Sequence, residues 1–215
     1  MTGTFITFEG PDGAGKTSVL KALMPKITQA VTTPVVLTRE PGGARLSEAI
    51  RTMILDPQNT EMDPRTEALL YAASRRQHLV EKVLPALAEG QLVICDRFVD
   101  SSVAYQGAGR RIGEEAVWQL NQFATAGLEP SLTVYLDVPS EVGLARIRQN
   151  RQATQYDRLD QEQLDFHQRV RAAYLRLAHN APQRIVTVDA TADMAVVVQQ
   201  CLAVLQAHLQ GIWRS

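Results

Sequence analysis

The chain has 215 residues, of which 45% are hydrophobic and 21% charged, with a formal net charge of −1. That size suits one domain, 1–215, with a substantial core, and the near-zero charge gives no whole-molecule field to draw nucleic acid or an anionic membrane. No apolar run reaches the ~18 residues of a membrane span, and no leader pattern opens the chain, so the expectation is a cytoplasmic protein with small-molecule partners.

The first element, TFITFEG over 4–10, is a β-branched apolar run that reads as a buried strand. It leads into GPDGAGKT over 10–17. Glycines there let backbone N–H groups converge on phosphate oxygens, and the helix that follows adds positive potential. Gly10, Pro11, Asp12, Gly13, Ala14, Gly15, Lys16 and Thr17 are therefore candidate ATP-binding residues. Lys16 is expected to reach the β and γ phosphates, and the Thr17 hydroxyl to hold Mg²⁺. Asp12 is the anomaly: a carboxylate in a nest made for anions. Pro25, inside the next helical pattern, predicts a kink or an early stop.

PVVLTRE (34–40) is the second strand, running into Arg39-Glu40-Pro41-Gly42-Gly43. An apolar stripe of Leu46, Ala49, Ile50, Met53 and Ile54 follows at helical spacing. Asp63-Pro64 then caps a long helix that should stop near Gly90, with a kink or an early stop at Pro85. On that helix Tyr71 and Arg75 share a face. The ring can stack on a base and the guanidinium can donate to a carbonyl at its edge, although, taken alone, a core tyrosine beside a solvated arginine is the more ordinary arrangement.

QLVICDR (91–97) is the third strand. Asp96 closes it, where a carboxylate can hold Mg²⁺ through water. Arg97 stands at the mouth, where a guanidinium can grip phosphate; a structural ion pair is the alternative. If the next stretch is helical, Ser102, Tyr105 and Gln106 share a face. SLTVYLD (131–137) is the fourth strand. Beyond it lies a basic stretch, RQNRQATQYDRLD (148–160), with Arg148, Arg151 and Arg158. It reads as a mobile flap at about 146–160, able to close over a nucleotide, or as a solvated loop. Asp160 and Gln163 resemble a capping box for the next helix. RIVTVDA (184–190) is the fifth strand, and Met194, Val197, Val198, Cys201, Val204 and Leu205 form a last helical stripe. Cys95 and Cys201 sit far apart in apolar runs and read as buried thiols.

Strand–helix alternation predicts an α/β fold, a parallel sheet covered on both faces with ligands at the strands' C-terminal ends. FEGPDGAGKT, TREPGG, TEALLYAASRRQHL, CDRFVDSSVAYQG and DRLDQE together resemble the thymidylate kinases in their bacterial form. The resemblance spans nearly the whole chain, and DRF followed by SSVAYQG is more specific than the phosphate loop. It implies a three-layer P-loop nucleoside-monophosphate-kinase-like fold with a five-stranded parallel sheet, usually as a homodimer. The implied reaction moves the γ-phosphoryl of ATP, with Mg²⁺, onto dTMP to give dTDP for dTTP supply.

By the same resemblance Tyr71 stacks on thymine, Arg75 bonds a thymine carbonyl, Ser102 and Gln106 contact the base region, and Tyr105 crowds the sugar 2′ position. Arg97 holds the acceptor phosphate, helped by the Arg39-Glu40-Pro41 loop. Asp12 turns to the acceptor side and accepts from the 3′-hydroxyl, which would account for its presence in the loop. Nothing basic stands at Gly13-Ala14, so the flap supplies that charge through Arg151 or Arg148. A phosphate monoester with a second pKa near ~6 is already largely ionised, so no general base is expected. The alternatives are a deoxynucleoside kinase, which would need a carboxylate base, and a nucleotide-dependent switch.

Overall fold

The computed structural model of the chain describes residues 3–150, 158–159 and 162–214. Five strands, β1 Thr4–Glu9, β2 Val35–Arg39, β3 Leu92–Asp96, β4 Leu132–Asp137 and β5 Ile185–Asp189, form one sheet in the order β2-β3-β1-β4-β5. Every pairing is parallel, and Phe8 and Arg39 both lie level with Asp96. The loops after all five strands therefore gather along one edge, with the loop after β1 in the middle.

The strands' period-2 pattern sorts their side chains between two helical layers. Ile6 and Phe8 of β1, Leu92 and Ile94 of β3, and Leu132, Val134 and Leu136 of β4 pack with α1 (Lys16–Ala30) and α9 (Met194–His208). Phe5, Val93 and Cys95 face the other way, onto Leu79, Val83 and Leu87. Tyr135 and Ile185 also join a second cluster with α8 (Leu164–Asn180). Glu9 falls on the odd side of β1, away from α1.

The remaining helices are α2 (Arg45–Leu55), α3 (Pro64–His78), α4 (Leu84–Ala88), α5 (Val99–Ser102), α6 (Glu114–Thr125) and α7 (Ser140–Asn150). Asp63 caps α3 as its sequence predicts, accepting from the N–H groups of Arg65 at 2.9 Å and Thr66 at 3.1 Å. Cys95 and Cys201 are buried and free.

The structure adds detail to four expectations. Helix α1 continues through Pro25 to Ala30, so the early stop does not occur: Leu20, Leu23 and Ile27 are buried, and that packing holds the helix together across one missing N–H. At Pro85 the helix changes winding instead of ending. A π-helical turn, Leu79–Val83, joins α3 to α4 and leaves the proline in a first turn, where its N–H is not needed. Helix α8 starts at Leu164 with Gln163 as its N-cap and no side-chain cap bond, so Gln163 is not the third residue of a capping box; Asp160 lies outside the described residues. Of the segment expected as a flap, residues 146–150 belong to α7 and Arg158 and Leu159 are buried, while residues 151–157, Arg151 among them, and 160 lie outside the described residues.

Candidate active site

The loop after β1 turns with positive φ at Gly10 (148°), Gly13 (78°) and Gly15 (84°). Gly13 is the tightest point: a Cβ there would lie 2.1 Å from the carbonyl oxygen of Gly143 in α7. Lys16 opens α1, and its buried ammonium donates to the carbonyls of Gly10 at 2.7 Å and Pro11 at 3.0 Å. Burial and the Arg97 charge bring Lys16 down to about 8, against the pull of Asp96, Asp12 and Glu9. The Thr17 hydroxyl donates to Asp96 Oδ2 at 3.2 Å. The other Asp96 oxygen is buried with no hydrogen-bond partner among the described residues. A hydroxyl beside a carboxylate with spare lone pairs suits a small, hard cation, so Thr17 and Asp96 fit Mg²⁺.

Arg97 follows Asp96 with φ +71°, unusual for a residue with a side chain. Its Nη2 donates to Asp12 Oδ1 at 2.6 Å and to the Tyr105 hydroxyl at 3.1 Å, and its guanidinium lies 4.8 Å from the Tyr105 ring centroid. Nη1 donates to the hydroxyls of Ser101 at 3.1 Å and Tyr174 at 3.4 Å. The Tyr105 hydroxyl completes a triangle by donating to Asp12 Oδ2 at 2.8 Å. Burial pushes the Asp12 carboxyl up, but Arg97, Lys16 and the Tyr105 hydroxyl hold it below the usual carboxylate range. Asp12 thus faces Arg97 and Tyr105.

Arg75 is fully buried and anchored on several sides. Nε donates to Glu40 Oε2 at 2.6 Å, Nη1 to Ser102 Oγ at 3.0 Å and to Asn121 Oδ1, and Nη2 to the Phe98 carbonyl at 2.9 Å. Of its five N–H bonds, one is left over by these four partners. Glu40 also accepts from His78 Nδ1 at 2.9 Å, so it braces Arg75 from behind. Gln106 donates to Glu67 Oε1 at 2.8 Å; Glu67 is fully buried and also holds Arg110 at 3.1 Å and Arg158. Arg158 is therefore a packing arginine, not one free to close over a nucleotide. Arg39 is half-exposed and pairs with Glu48 at 2.9 Å.

These groups line one cleft of about 790 Å³. Tyr71, Arg75, Ser102, Tyr105 and Gln106 belong to it, as do Arg39, Glu40 and the loop from Asp12 to Thr17. Gly10 and Pro11 take part through the carbonyls that hold Lys16. Arg148 is exposed on α7 and does not line the cleft. The loop after β5, Ala190 to Met194, lines it too, with Arg146, whose guanidinium donates to the Ala190 carbonyl at 2.8 Å. Arg51 is a further lining residue, donating to the Pro41 carbonyl at 2.9 Å.

Sequence reading missed Arg51, Arg146, the loop after β5 and the glutamates Glu9 and Glu67. A signal existed for Glu67, which stands one helical turn before Tyr71 and two before Arg75 on the same face of α3. None existed for Arg146, which looks like any arginine on an amphipathic helix.

A sequence profile described as thymidylate kinase matches residues 8–201. Relatives named thymidylate kinase include one from Lacticaseibacillus casei, 68% identical over 94% of each chain. Another, from Enterococcus faecalis, is 61% identical over 93% of each chain. Among solved structures, a thymidylate kinase from Ehrlichia chaffeensis superposes with a TM-score of 0.75 at 33% identity, covering 96% of this chain and 99% of its own.

Proposed function

The chain belongs to the thymidylate kinase family, and from that premise we propose how its own residues carry the reaction. It transfers the γ-phosphoryl of ATP to dTMP, giving dTDP. The observation that carries the assignment of roles is the Arg97–Asp12–Tyr105 triangle, which joins the phosphate loop to the acceptor side at distances of 2.6, 2.8 and 3.1 Å.

Strand order supports a direction for the cleft. ATP enters from the β5 side, its base against Arg146 and residues 190–194, with its phosphates in the nest of residues 10–17. Lys16 holds the β and γ phosphates. Thr17 and Asp96 would hold Mg²⁺, which would supply charge neutralisation at the donor phosphates. dTMP enters from the β2 side. Tyr71 lies along the thymine, Arg75 offers its remaining N–H to a carbonyl, and Ser102 and Gln106 face the same base. Tyr105 fills the space a 2′-hydroxyl would need, and Asp12 accepts from the 3′-hydroxyl. Arg97 grips the acceptor phosphate, with Arg39 and Glu40 shaping the neighbouring loop. The acceptor oxygen is ionised near neutrality, so alignment and charge neutralisation carry the rate and no base is required.

An arginine from the last turn of α7 or the segment that follows it adds charge at the transferred group; Arg148 and Arg151 are distinguished by comparing kcat of their alanine variants. The single domain 1–215 acts in the cytoplasm as a homodimer. Helices α2, α3 and α6 support that assembly, leaving Met53, Leu69, Trp118 and Phe123 exposed, Phe123 by 89%. A monomer in sedimentation at micromolar concentration would rule it out.

The deciding experiment is Arg97→Ala. The expected result is a fall of about 10²–10³-fold in kcat/KM for dTMP, with the ATP dissociation constant within about twofold. Near-normal kinetics would remove Arg97 from the site and reopen a nucleoside acceptor, which has no phosphate to grip.

A further inference from the structure

We propose that Glu9 is a positioning residue for phosphoryl transfer, fixing both the backbone and the guanidinium of Arg97 from behind the cleft. The inference rests on the reading of Arg97 as the acceptor-phosphate grip.

Glu9 ends β1 on the face opposite α1, and it is wholly buried. It does not line the cleft. Its Oε1 accepts from the backbone N–H of Phe98 at 2.6 Å and of Ser101 at 3.3 Å. The first of these is the peptide that directly follows the positive-φ residue Arg97, so the carboxylate pins the turn that aims the arginine inward. Its Oε2 accepts from the Ser101 hydroxyl at 2.5 Å and the Tyr174 hydroxyl at 2.8 Å. Those two hydroxyls in turn accept from Arg97 Nη1. One buried carboxylate therefore reaches Arg97 by two routes, through its backbone and through its side chain. The facing charged groups are Arg97, Asp100 and Lys16. Asp100 is itself paired with Arg184 at 2.7 Å, and it gives Arg97 no hydrogen bond among the described residues.

Glu9→Gln keeps the shape and one acceptor, and it reverses the polarity toward the two hydroxyls. The expected result is a fall of about tenfold in kcat/KM for dTMP, since a small misplacement of a binding group is costly in a preorganised site. The ATP dissociation constant should stay within about twofold. The decisive arm is a double-mutant cycle. In an Arg97→Ala background, Glu9→Gln should change kcat/KM by less than about twofold, because its effect passes through the arginine. Tyr174→Phe removes one bridging hydroxyl without touching a charge, so it serves if Glu9→Gln fails to fold; it should show the same non-additivity. An undiminished effect in the Arg97→Ala background, or near-normal kinetics of both variants, would overturn the proposal. Near-normal kinetics of Arg97→Ala itself would instead overturn the premise.

Discussion

Glu67 offers a test of the buried electrostatics that needs no ligand. Its carboxylate is fully buried between two guanidiniums, Arg110 (13% exposed) and Arg158 (9% exposed), and also accepts from the Gln106 amide. Glu67→Gln keeps the volume but places an amide N–H₂ where Arg110 and Arg158 need an acceptor. Two cations then face each other in a site that water barely reaches. Removing one partner of a buried pair costs about 3–5 kcal/mol. For a chain of this size each kcal/mol lowers Tm by about 2–4 °C, so Tm should fall by roughly 6–20 °C. Calorimetry at pH 7 reads that shift, and urea unfolding should give a lower midpoint at an unchanged slope. The exposed pair Arg176–Glu114, with 52% and 36% of its side chains accessible, supplies the contrast. Glu114→Gln should cost less than about 1 kcal/mol. A Glu67→Gln variant within about 2 °C of the parent would show that this pair is solvated in solution and that the reasoning is wrong.

Three further outcomes are expected. Lys16 titrates at about 8, so ATP binding, measured by calorimetry, should weaken as pH rises through that value; constant affinity from pH 7 to 9.5 would count against Lys16 as the phosphate cation. Gly13→Ala combines a φ of 78° with a Cβ only 2.1 Å from a backbone oxygen, whereas Gly113, at φ 111°, has nothing within 4 Å. The first substitution should therefore cost well over the ~1–3 kcal/mol of backbone strain alone and abolish ATP binding, and the second should cost only that strain; equal Tm losses would refute the steric account. Burial and Asp100 raise Glu9 from 4.5 to about 7. Its contribution is full below the unfolded value and is lost as pH rises through the folded one, so between pH 5 and 8 the parent should lose stability relative to Glu9→Gln. The difference is on the order of 3 kcal/mol, and denaturant curves at the two pH values showing the opposite sign would refute it.

Much of this architecture is legible in the sequence because it rests on local rules. The five strands are short apolar runs that only a doubly covered parallel sheet can bury, and the Asp63-Pro64 cap marks the start of α3 by its own hydrogen bonds. Winding is harder to read. A second π-helical segment, Val103–Gly109, follows α5, and nothing in residues 79–83 or 103–109 distinguishes a π turn from an α turn, since the choice depends on what the whole helix must reach. Charge is harder still. Arg158 looks solvated beside Arg148 and Arg151, yet it is buried because Glu67, ninety-one positions away, waits for it. A long-range partner leaves no mark at either residue alone.

The buried glutamates explain why the readable residues work. Each stands behind a residue that faces the cleft: Glu40 behind Arg75, Glu67 behind Gln106 and Glu9 behind Arg97. The linkages differ in a way that matches the task. In the proposed roles Arg75 has a neutral base to recognise, so a direct ion pair with Glu40 at 2.6 Å costs it nothing useful. Arg97, as the proposed grip on the acceptor phosphate, would need to meet a dianion with its charge available. Glu9 therefore touches it only through neutral hydroxyls and a peptide N–H, which fix direction while keeping the opposite charge at a distance. The direct partner, Asp12, sits on the cleft side, where on the proposed reading a sugar hydroxyl would engage it as the phosphate engages Arg97. A rigid inner support and an exchangeable outer partner let one arginine be both ordered before binding and free to bind.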